Sequence, residues 1–417
     1  MTLIEELLLL LIVSRVIGEL VERLGQPAMI GEIAAGVILG PSALALIHFT
    51  PEIKAIADLG VFLLVFLVGM EMDLGVLWKA FRGRGALVGL AGFTIPLALG
   101  ILVGNAFHMG ATQMIFVGLC IAITALPVSV RILMDLDKLQ TDIGQRIISA
   151  AVTNDVASIL LLGIILGAES HGSTTASLLT SISLALVKAL VFMGAIIIVS
   201  RLIKKYTPGR FLRSRNLIDP LLAKLKGKES LFAIVLLFVI AFASLSEWLG
   251  LHFIVGAFFG SMLLSHAVLG KANYEEVRKT ASNVTMGFLG PIFFAAIGLE
   301  FDASSLRNWE LVVSVLLVAF VGKIAGGYIG GRLAGLQDKQ SWALGVGLNG
   351  RGIMELVIAN IALANRFISD QLFTVLVLMA TVTTIVTPVL LKWAYERLPA
   401  KQAAALTVGL GRDAAAD

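Results

Sequence analysis

Leu348-Asn-Gly-Arg-Gly-Ile-Met-Glu355 interrupts an apolar run, 342–364, that is otherwise long enough to cross a bilayer. Two glycines bracket an arginine directly after an asparagine, and a glutamate follows one helical turn beyond the arginine. Glycine weakens a helix interior, and backbone freed inside a membrane is tolerated only where it is buried in protein or lines a polar cavity. The stretch therefore predicts a helix that stops near Leu348 and starts again near Gly352, with Gly350 and Gly352 as the breaking residues. Arg351 then sits beside the negative end of the first half-helix and Glu355 beside the positive end of the second, and both pairings are favourable.

The rest of the chain has the composition of a membrane protein. Of its 417 residues 58% are hydrophobic and 14% charged, with a mean hydropathy of +0.95, more apolar surface than a soluble domain can bury. The 42 glycines fit the same reading, because small residues let membrane helices approach closely. A single cysteine, Cys120, excludes a disulfide within the chain and a thiolate metal site. The histidines are scattered, and no nucleophile–base or metal constellation points to an enzyme or to a bound cofactor. The first apolar run, Leu7 to Val13, leads into Arg15 and Glu19 with no small-residue cleavage site, so it reads as a spanning helix rather than a signal peptide.

Apolar windows place thirteen spans, at 3–21, 28–47, 57–74, 85–107, 112–130, 144–168, 177–200, 230–248, 251–266, 283–299, 309–331, 342–364 and 371–391. The fold class is an all-α integral membrane protein; long continuous runs exclude a β-barrel. With the N-terminus outside and the C-terminus cytoplasmic, inside loops and span ends hold 25 of the 32 Lys and Arg residues and outside ones hold 3. The alternation places the chain in the inner (plasma) membrane. The basic inside loop 201–229 reads as an orientation signal in contact with anionic headgroups. The tail 399–417 is too short for a regulatory or nucleotide-binding domain. Beyond the lipid bilayer no nucleic-acid partner is implied.

A repeat is visible in the spans. Gly69-Met-Glu-Met-Asp73 closes span 3 and Gly298-Leu-Glu-Phe-Asp302 closes span 10, an offset of 229 residues that also carries span 5 onto 12 and span 6 onto 13. Gly36-Val-Ile-Leu-Gly40 and Gly256-Ala-Phe-Phe-Gly260 give a second echo. The expected organisation is a first repeat at 1–168, a linker helix and loop at 169–229, and a second repeat at 230–398, inverted because the linker crosses once. Inverted repeats are characteristic of secondary transporters, whose site lies near the midplane where the repeats meet. In span 5, the counterpart of span 12, Thr124-Ala-Leu-Pro127 predicts a second break, since proline lacks a backbone donor and suits the first turn of a helix.

Ionisable residues at mid-membrane are functional suspects. Asp155 lies about 16 Å into span 6 at ~1.5 Å per residue, the centre of the bilayer. Thr153, Asn154 and Ser158 supply oxygens beside it, the ligands that Na⁺ or K⁺ requires in place of water. A carboxylate holds either a cation or a proton, and that competition is sufficient for exchange. Lys323 is also central, among Gly322, Gly326 and Gly327, and either pairs with Asp155 or balances helix-end charge. Arg15 and Glu19 read as an i, i+4 ion pair near the inner surface. Lys188, in span 7, has no assigned role.

At Thr124-Ala-Leu-Pro-Val-Ser-Val-Arg131, Val152-Thr-Asn-Asp155, Pro291-Ile-Phe-Phe294 with Gly298-Leu299, Asn349-Gly-Arg-Gly-Ile-Met-Glu-Leu356 and Ser369-Asp-Gln371, the sequence resembles the second monovalent cation:proton antiporter family. That family includes bacterial potassium-efflux systems, sodium–proton antiporters and plant cation/proton exchangers. The resemblance runs through spans 1 to 13. It implies the sodium–proton antiporter fold with two inverted six-helix repeats and two crossing broken helices, and a homodimer. Of the binding residues only Asp155 carries over, as the shared carrier of the proton and of Na⁺ or K⁺; Asn154, Thr124, Thr153 and Ser158 are the expected cation/proton-binding residues beside it. Lys323, Arg351 and Glu355 form the charge-compensating core, and Pro127, Gly350 and Gly352 the broken-helix positions. Asn154 stands where electrogenic members have a second aspartate, and it ligates without titrating, so the expected exchange is electroneutral. Two rival readings remain. A sodium-coupled symporter of an organic anion would need an organic solute for cation flux, and a cation channel would need a filter motif that is missing.

Overall fold

A computed structural model describes residues 2–71, 84–136, 138, 141–169, 187, 191–192, 194, 196, 198–199, 228–249, 253–264 and 266–398, and no β-strand occurs among them. Among the described residues the α-helices of ten or more residues are α1 (Leu3–Arg23), α2 (Ala28–Leu39), α3 (Pro51–Glu71), α4 (Arg84–Ala106), α5 (Ala111–Ala122), α6 (Leu126–Asp135), α7 (Asp142–Glu169), α8 (Lys228–Trp248), α9 (Phe253–Met262), α10 (Lys271–Val284), α11 (Gly290–Leu299), α12 (Trp309–Leu333), α13 (Asp338–Gly347), α14 (Ile353–Ala364) and α15 (Asp370–Glu396). Among the described residues seven helical segments are long and apolar enough to cross a membrane: 51–71, 85–106, 142–165, 230–248, 271–299, 309–333 and 370–396. Five further expected spans coincide with α1, α2, α9 and the broken pairs α5–α6 and α13–α14. The expected span 177–200, with Lys188, lies largely outside the described residues, as do the basic loop 201–229, Asp73 and the tail 399–417.

Three span boundaries differ from expectation. Span 2 ends as a helix at Leu39 because Pro41 follows Gly40, which turns extended, and apolar residues 42–47 run on as loop. Among the described residues of span 9, Phe253–Met262 is helical, 263 and 264 are not, and His266 opens a separate short helix, His266–Leu269. Span 10 is the C-terminal part of a longer helix: polar, amphipathic α10 passes through a π-helical turn, Thr285–Leu289, into α11 without a break.

The chain forms two compact units, and each draws on both halves of the sequence. One comprises Met1–Leu11, Thr50–Gly75 and Ile159–Phe294. Within it α9 packs on α3 and α8, and the Tyr274 hydroxyl donates to the Met70 carbonyl at 2.6 Å, tying α10 to the end of α3.

The other unit comprises Ile12–Phe49, Val76–Ser158 and Ala295–Asp417, and it carries both broken helices. Its helices meet through glycine, as expected where no hydrophobic force drives helices together in lipid. A Cβ at Gly322, Gly326 or Gly330 of α12 would press on Pro96, Ala91 and Val88 of α4, and one at Gly327 on Gly345 of α13. An apolar cluster including Val88, Ile147, Leu344, Leu348 and Leu391 lies beneath the second break.

The tightest backbone approach at a glycine among the described residues joins α2 to α11. A Cβ on Gly36 would fall on the Ala295 carbonyl, and one on Gly298 on the Ile33 carbonyl. Gly36→Ala is expected to lower stability by ~1–3 kcal/mol, the range for overpacking. A lower thermal unfolding midpoint in detergent would register it. Gly110→Ala, whose Cβ meets nothing within 4 Å, is the control and leaves the midpoint nearly unchanged.

Candidate functional site

The two breaks fall where the glycine and proline signals put them, and they meet. α5 stops at Ala122 and the chain resumes helix at Leu126; α13 stops at Gly347 and helix resumes at Ile353. Across the gap Ala125 N–H donates to Gly350 O at 2.9 Å, and the Thr124 hydroxyl lies 3.1 Å from Leu348 O. Pro127 is in the first turn of α6, where a missing N–H has no helical acceptor to lose. Gly352 is needed for the approach itself: a Cβ there would lie 2.9 Å from the Ala125 methyl and 3.0 Å from Val128.

A helix that ends inside a membrane leaves carbonyls without water. At the end of α5 they are covered by two cations. The Arg351 guanidinium donates to Cys120 O at 2.5 Å and Ile121 O at 2.9 Å. The Lys323 ammonium donates to Ala122 O, to Gly92 O at 3.1 Å and to the Thr124 hydroxyl at 2.6 Å. Both side chains are fully buried. Arg351 thus serves the end of the other broken helix rather than the end of its own: its side chain crosses to α5, and its backbone carbonyl lies 2.9 Å from the Thr384 hydroxyl. It also pairs with Glu355 at 3.4 Å, and Glu355 lies in the first turn of α14 as the dipole argument requires. Of the two alternatives for Lys323, its bonds are those of a helix-end cap. No ion pair within 4 Å joins it to Asp155 among the described residues.

α7 brings Asn154, Asp155 and Ser158 to the crossing, all fully buried. The Asn154 amide, with its NH₂ facing acceptors, donates to Gly89 O at 2.9 Å and Ala150 O at 3.2 Å. Its oxygen then faces the Lys323 ammonium at 3.3 Å and the Thr124 hydroxyl at 3.1 Å. Thr124 has one proton and two acceptors, Leu348 O and Asn154 Oδ1, at the same distance. Ser158 turns its hydroxyl onto Asn154 O at 2.7 Å. Thr153 bonds back to Ser149 O at 2.9 Å and packs where Gly89 of α4 makes room, beside the Gly89 carbonyl that the Asn154 amide binds. Asp155 differs from all of them. Both its oxygens are buried and have no hydrogen-bond partner among the described residues, although the Leu126 N–H at the start of α6 and the Lys323 charge act on it. The arrangement is a lone carboxylate in a cage whose cations are already held by backbone carbonyls.

Three residues escaped the reading of candidate sites. Asn349 and Ser129 sit inside quoted motifs, are buried, and have side-chain polar atoms without partners among the described residues. Glu32, 4% exposed on α2, has Arg15 as the nearest opposing charge acting on it; a carboxylate four residues into an apolar run was the available signal. Glu19, expected beside Arg15, makes an exposed ion pair with Arg23 at 3.1 Å.

Comparison with known proteins gives one consistent result. A family model described as "Sodium/hydrogen exchanger, transmembrane" matches residues 8–397. The chain is 31% identical to a Na⁺/H⁺ antiporter of Enterococcus hirae over 93% of its own length and 97% of the relative's. It is 29% identical to the Na⁺/H⁺-K⁺ antiporter GerN of Bacillus cereus, over 94% and 95% respectively. The fold matches that of the sodium proton antiporter MjNhaP1 from Methanocaldococcus jannaschii, with a TM-score of 0.66 at 16% identity over 97% of this chain and 98% of that one.

The clamp on α5 has a measurable consequence. Arg351→Met strands the buried Glu355 carboxylate and uncovers two carbonyls, so the expected loss is ~3–5 kcal/mol. Adding Glu355→Gln removes the stranded charge and recovers part of that loss in thermal unfolding. Equal losses in the single and double variants would mean that the pair is not coupled.

Proposed function

The chain belongs to the sodium/hydrogen exchanger family, and we propose that it exchanges a monovalent cation, Na⁺ or K⁺, for protons by alternating access, with Asp155 as the carrier that both cargoes share. The observation that carries this is the state of Asp155. Every other charged group at the crossing is engaged: Lys323 and Arg351 with the end of α5, and Glu355 with Arg351. Asp155 and Glu355 both have buried oxygens free of hydrogen bonds to described residues, but Glu355 has the Arg351 guanidinium at 3.4 Å whereas Asp155 has no ion pair within 4 Å among the described residues, so an ion or a proton is the remaining way to neutralise it.

The cage favours one charge per cycle. Asn154 accepts and donates but does not titrate, and Lys323 is bound to two backbone carbonyls and a hydroxyl rather than to the carboxylate. Asp155 then carries one cation one way or one proton the other, and exchange is one-for-one. Of the oxygens expected beside the cation, those of Asn154 and Thr124 are at the crossing, Ser158 lies one turn along α7, and Thr153 packs against α4. The relatives named above include both a Na⁺/H⁺ and a Na⁺/H⁺-K⁺ antiporter, which supports an alkali cation without choosing between the two.

The protein acts as a multi-pass membrane protein. The Lys and Arg distribution supports an N-terminus outside and a C-terminus in the cytoplasm of the inner membrane. The 229-residue offset supports two inverted repeats at 1–168 and 230–398, and the family resemblance supports a homodimer.

Asp155→Asn keeps the shape of the side chain and removes its charge. In proteoliposomes with a pH-sensitive dye it is expected to abolish cation-dependent proton movement while the protein remains folded. Exchange at the wild-type rate would remove Asp155 from the mechanism. Wild-type vesicles clamped at 0 and −100 mV are expected to reach the same cation distribution at a fixed pH gradient. One extra charge per cycle would shift that balance by about 2.3 kcal/mol, and such a shift would show that a second proton moves.

A further inference from the structure

Twelve buried side-chain polar atoms lack a hydrogen-bond partner among the described residues, and eight of them belong to residues at or beside the crossing. Two are the Asp155 oxygens. Three belong to Arg351 and Glu355, which pair with each other. The remaining three are Asn349 Oδ1 and Nδ2 and Ser129 Oγ, on uncharged side chains that the exchange reading does not use.

We propose that Asn349 and Ser129 are a second, uncharged pair of cation ligands at the crossing, and that they determine which alkali cation the protein selects. The inference rests on the exchange reading above and names residues that it leaves out.

The contrast with neighbouring hydroxyls carries the argument. Thr383, Thr384 and Thr387 on α15, Ser158 on α7 and Thr124 all lie within hydrogen-bond reach of backbone carbonyls, the usual resting place of a hydroxyl in an apolar helix bundle. Ser129 is equally helical, and its N–H donates to Ala125 O at 3.0 Å, yet its hydroxyl bonds to no described residue. Asn349 is fully buried with neither end of its amide paired. Burying such groups without partners is unfavourable; the hydroxyls of Ser14, Thr285 and Ser341 are in the same state, and what sets Ser129 and Asn349 apart is their place at, or within one turn of, the breaks in the two broken helices.

Their position fits a ligand. Ser129 lies one helical turn along α6 from Leu126, whose N–H acts on Asp155. A Cβ at Gly350 would sit 3.2 Å from Ser129 Oγ, so the hydroxyl looks directly onto the break that presents Asn349. An amide oxygen and a hydroxyl are hard neutral donors, suited to an alkali ion that has shed part of its water. Being neutral, they add coordination without adding a titrating group, so the proton count stays with Asp155. They would meet the cargo from α6 and from the break between α13 and α14, whereas Asp155 and Asn154 belong to α7. The two sets of ligands together set the size of the space, and size is what separates Na⁺ from K⁺.

The test compares wild type, Asn349→Ala, Ser129→Ala, Ser129→Thr and Asp155→Asn in proteoliposomes, measuring exchange against Na⁺ and K⁺ concentration. Each alanine variant is expected to raise the apparent cation KM about tenfold, equivalent to losing ~1.4 kcal/mol of binding. Each is also expected to change the Na⁺/K⁺ preference several-fold, while the dependence on pH at saturating cation stays as in wild type. Ser129→Thr keeps the oxygen and stays near the wild-type preference. Should Asn349→Ala fail to assemble, Asn349→Ser is read in its place. Unchanged KM and unchanged preference in the variants of both residues would overturn the proposal. Loss of exchange in Asp155→Asn alongside that result would leave the carrier reading standing; exchange that survives in Asp155→Asn would remove the carrier reading itself.

Discussion

The structure depends on how the end of α5 is closed. Three consecutive carbonyls, those of Cys120, Ile121 and Ala122, point out of a helix that stops inside the protein, where water is not available to satisfy them. Two cations from different parts of the chain meet them. The same contacts explain why an arginine and a lysine are tolerated in apolar segments at all: each charge has a helix dipole to face and oxygens to bind. The consequence for Asp155 is indirect and decisive. Because Lys323 and Arg351 are held by backbone, the Asp155 carboxylate is left without an ion pair among the described residues.

That closure in turn rests on packing. Lys323 reaches Gly92 O on α4 and Ala122 O on α5 because α12 lies against α4 with no side chains between them at Gly322, Gly326 and Gly330. The Thr384 hydroxyl of α15 lies 2.9 Å from the Arg351 carbonyl, while the guanidinium reaches across the gap to the Cys120 and Ile121 carbonyls. Backbone carbonyls dominate these contacts, and they are oriented by the helices themselves rather than by side-chain rotamers.

Much of this was legible before any coordinates. Glycine and proline act on their own turn of chain, so the breaks at 123–125 and 348–352 follow from Pro127, Gly350 and Gly352 with little help from the rest of the fold. Asp155 stood out because a charge deep in an apolar run is unusual wherever the run packs. Partners were harder. Local electrostatics put Arg351 beside the end of α13, and only the crossing of the two broken helices makes the end of α5 the nearer one. Lys323 carried two equal readings for the same reason. Hydropathy also misplaced edges where polarity and helicity part company: α10 is a helix although it is polar, and residues 42–47 are loop although they are apolar. Asn349 and Ser129 were in view but indistinct, since what marks them is the absence of an acceptor, and a sequence does not show which carbonyls are within reach.

One consequence of the glycine packing concerns how tolerance to substitution would be distributed along α12. Gly322, Gly326 and Gly330 face α4, and Gly327 and Gly331 face α13, so two sides of one helix are set by backbone contact alone. A methyl group at any of these positions displaces a helix axis, and with it the ammonium at 323 that those axes aim. In a map of every possible substitution, these glycines would therefore stand out as sharply as residues that touch the cargo, although none of them carries an atom able to bind it. On this helix intolerance reports the spacing of axes, and exposed apolar positions such as Leu317, Val321 and Ile329 would accept other apolar residues beside them.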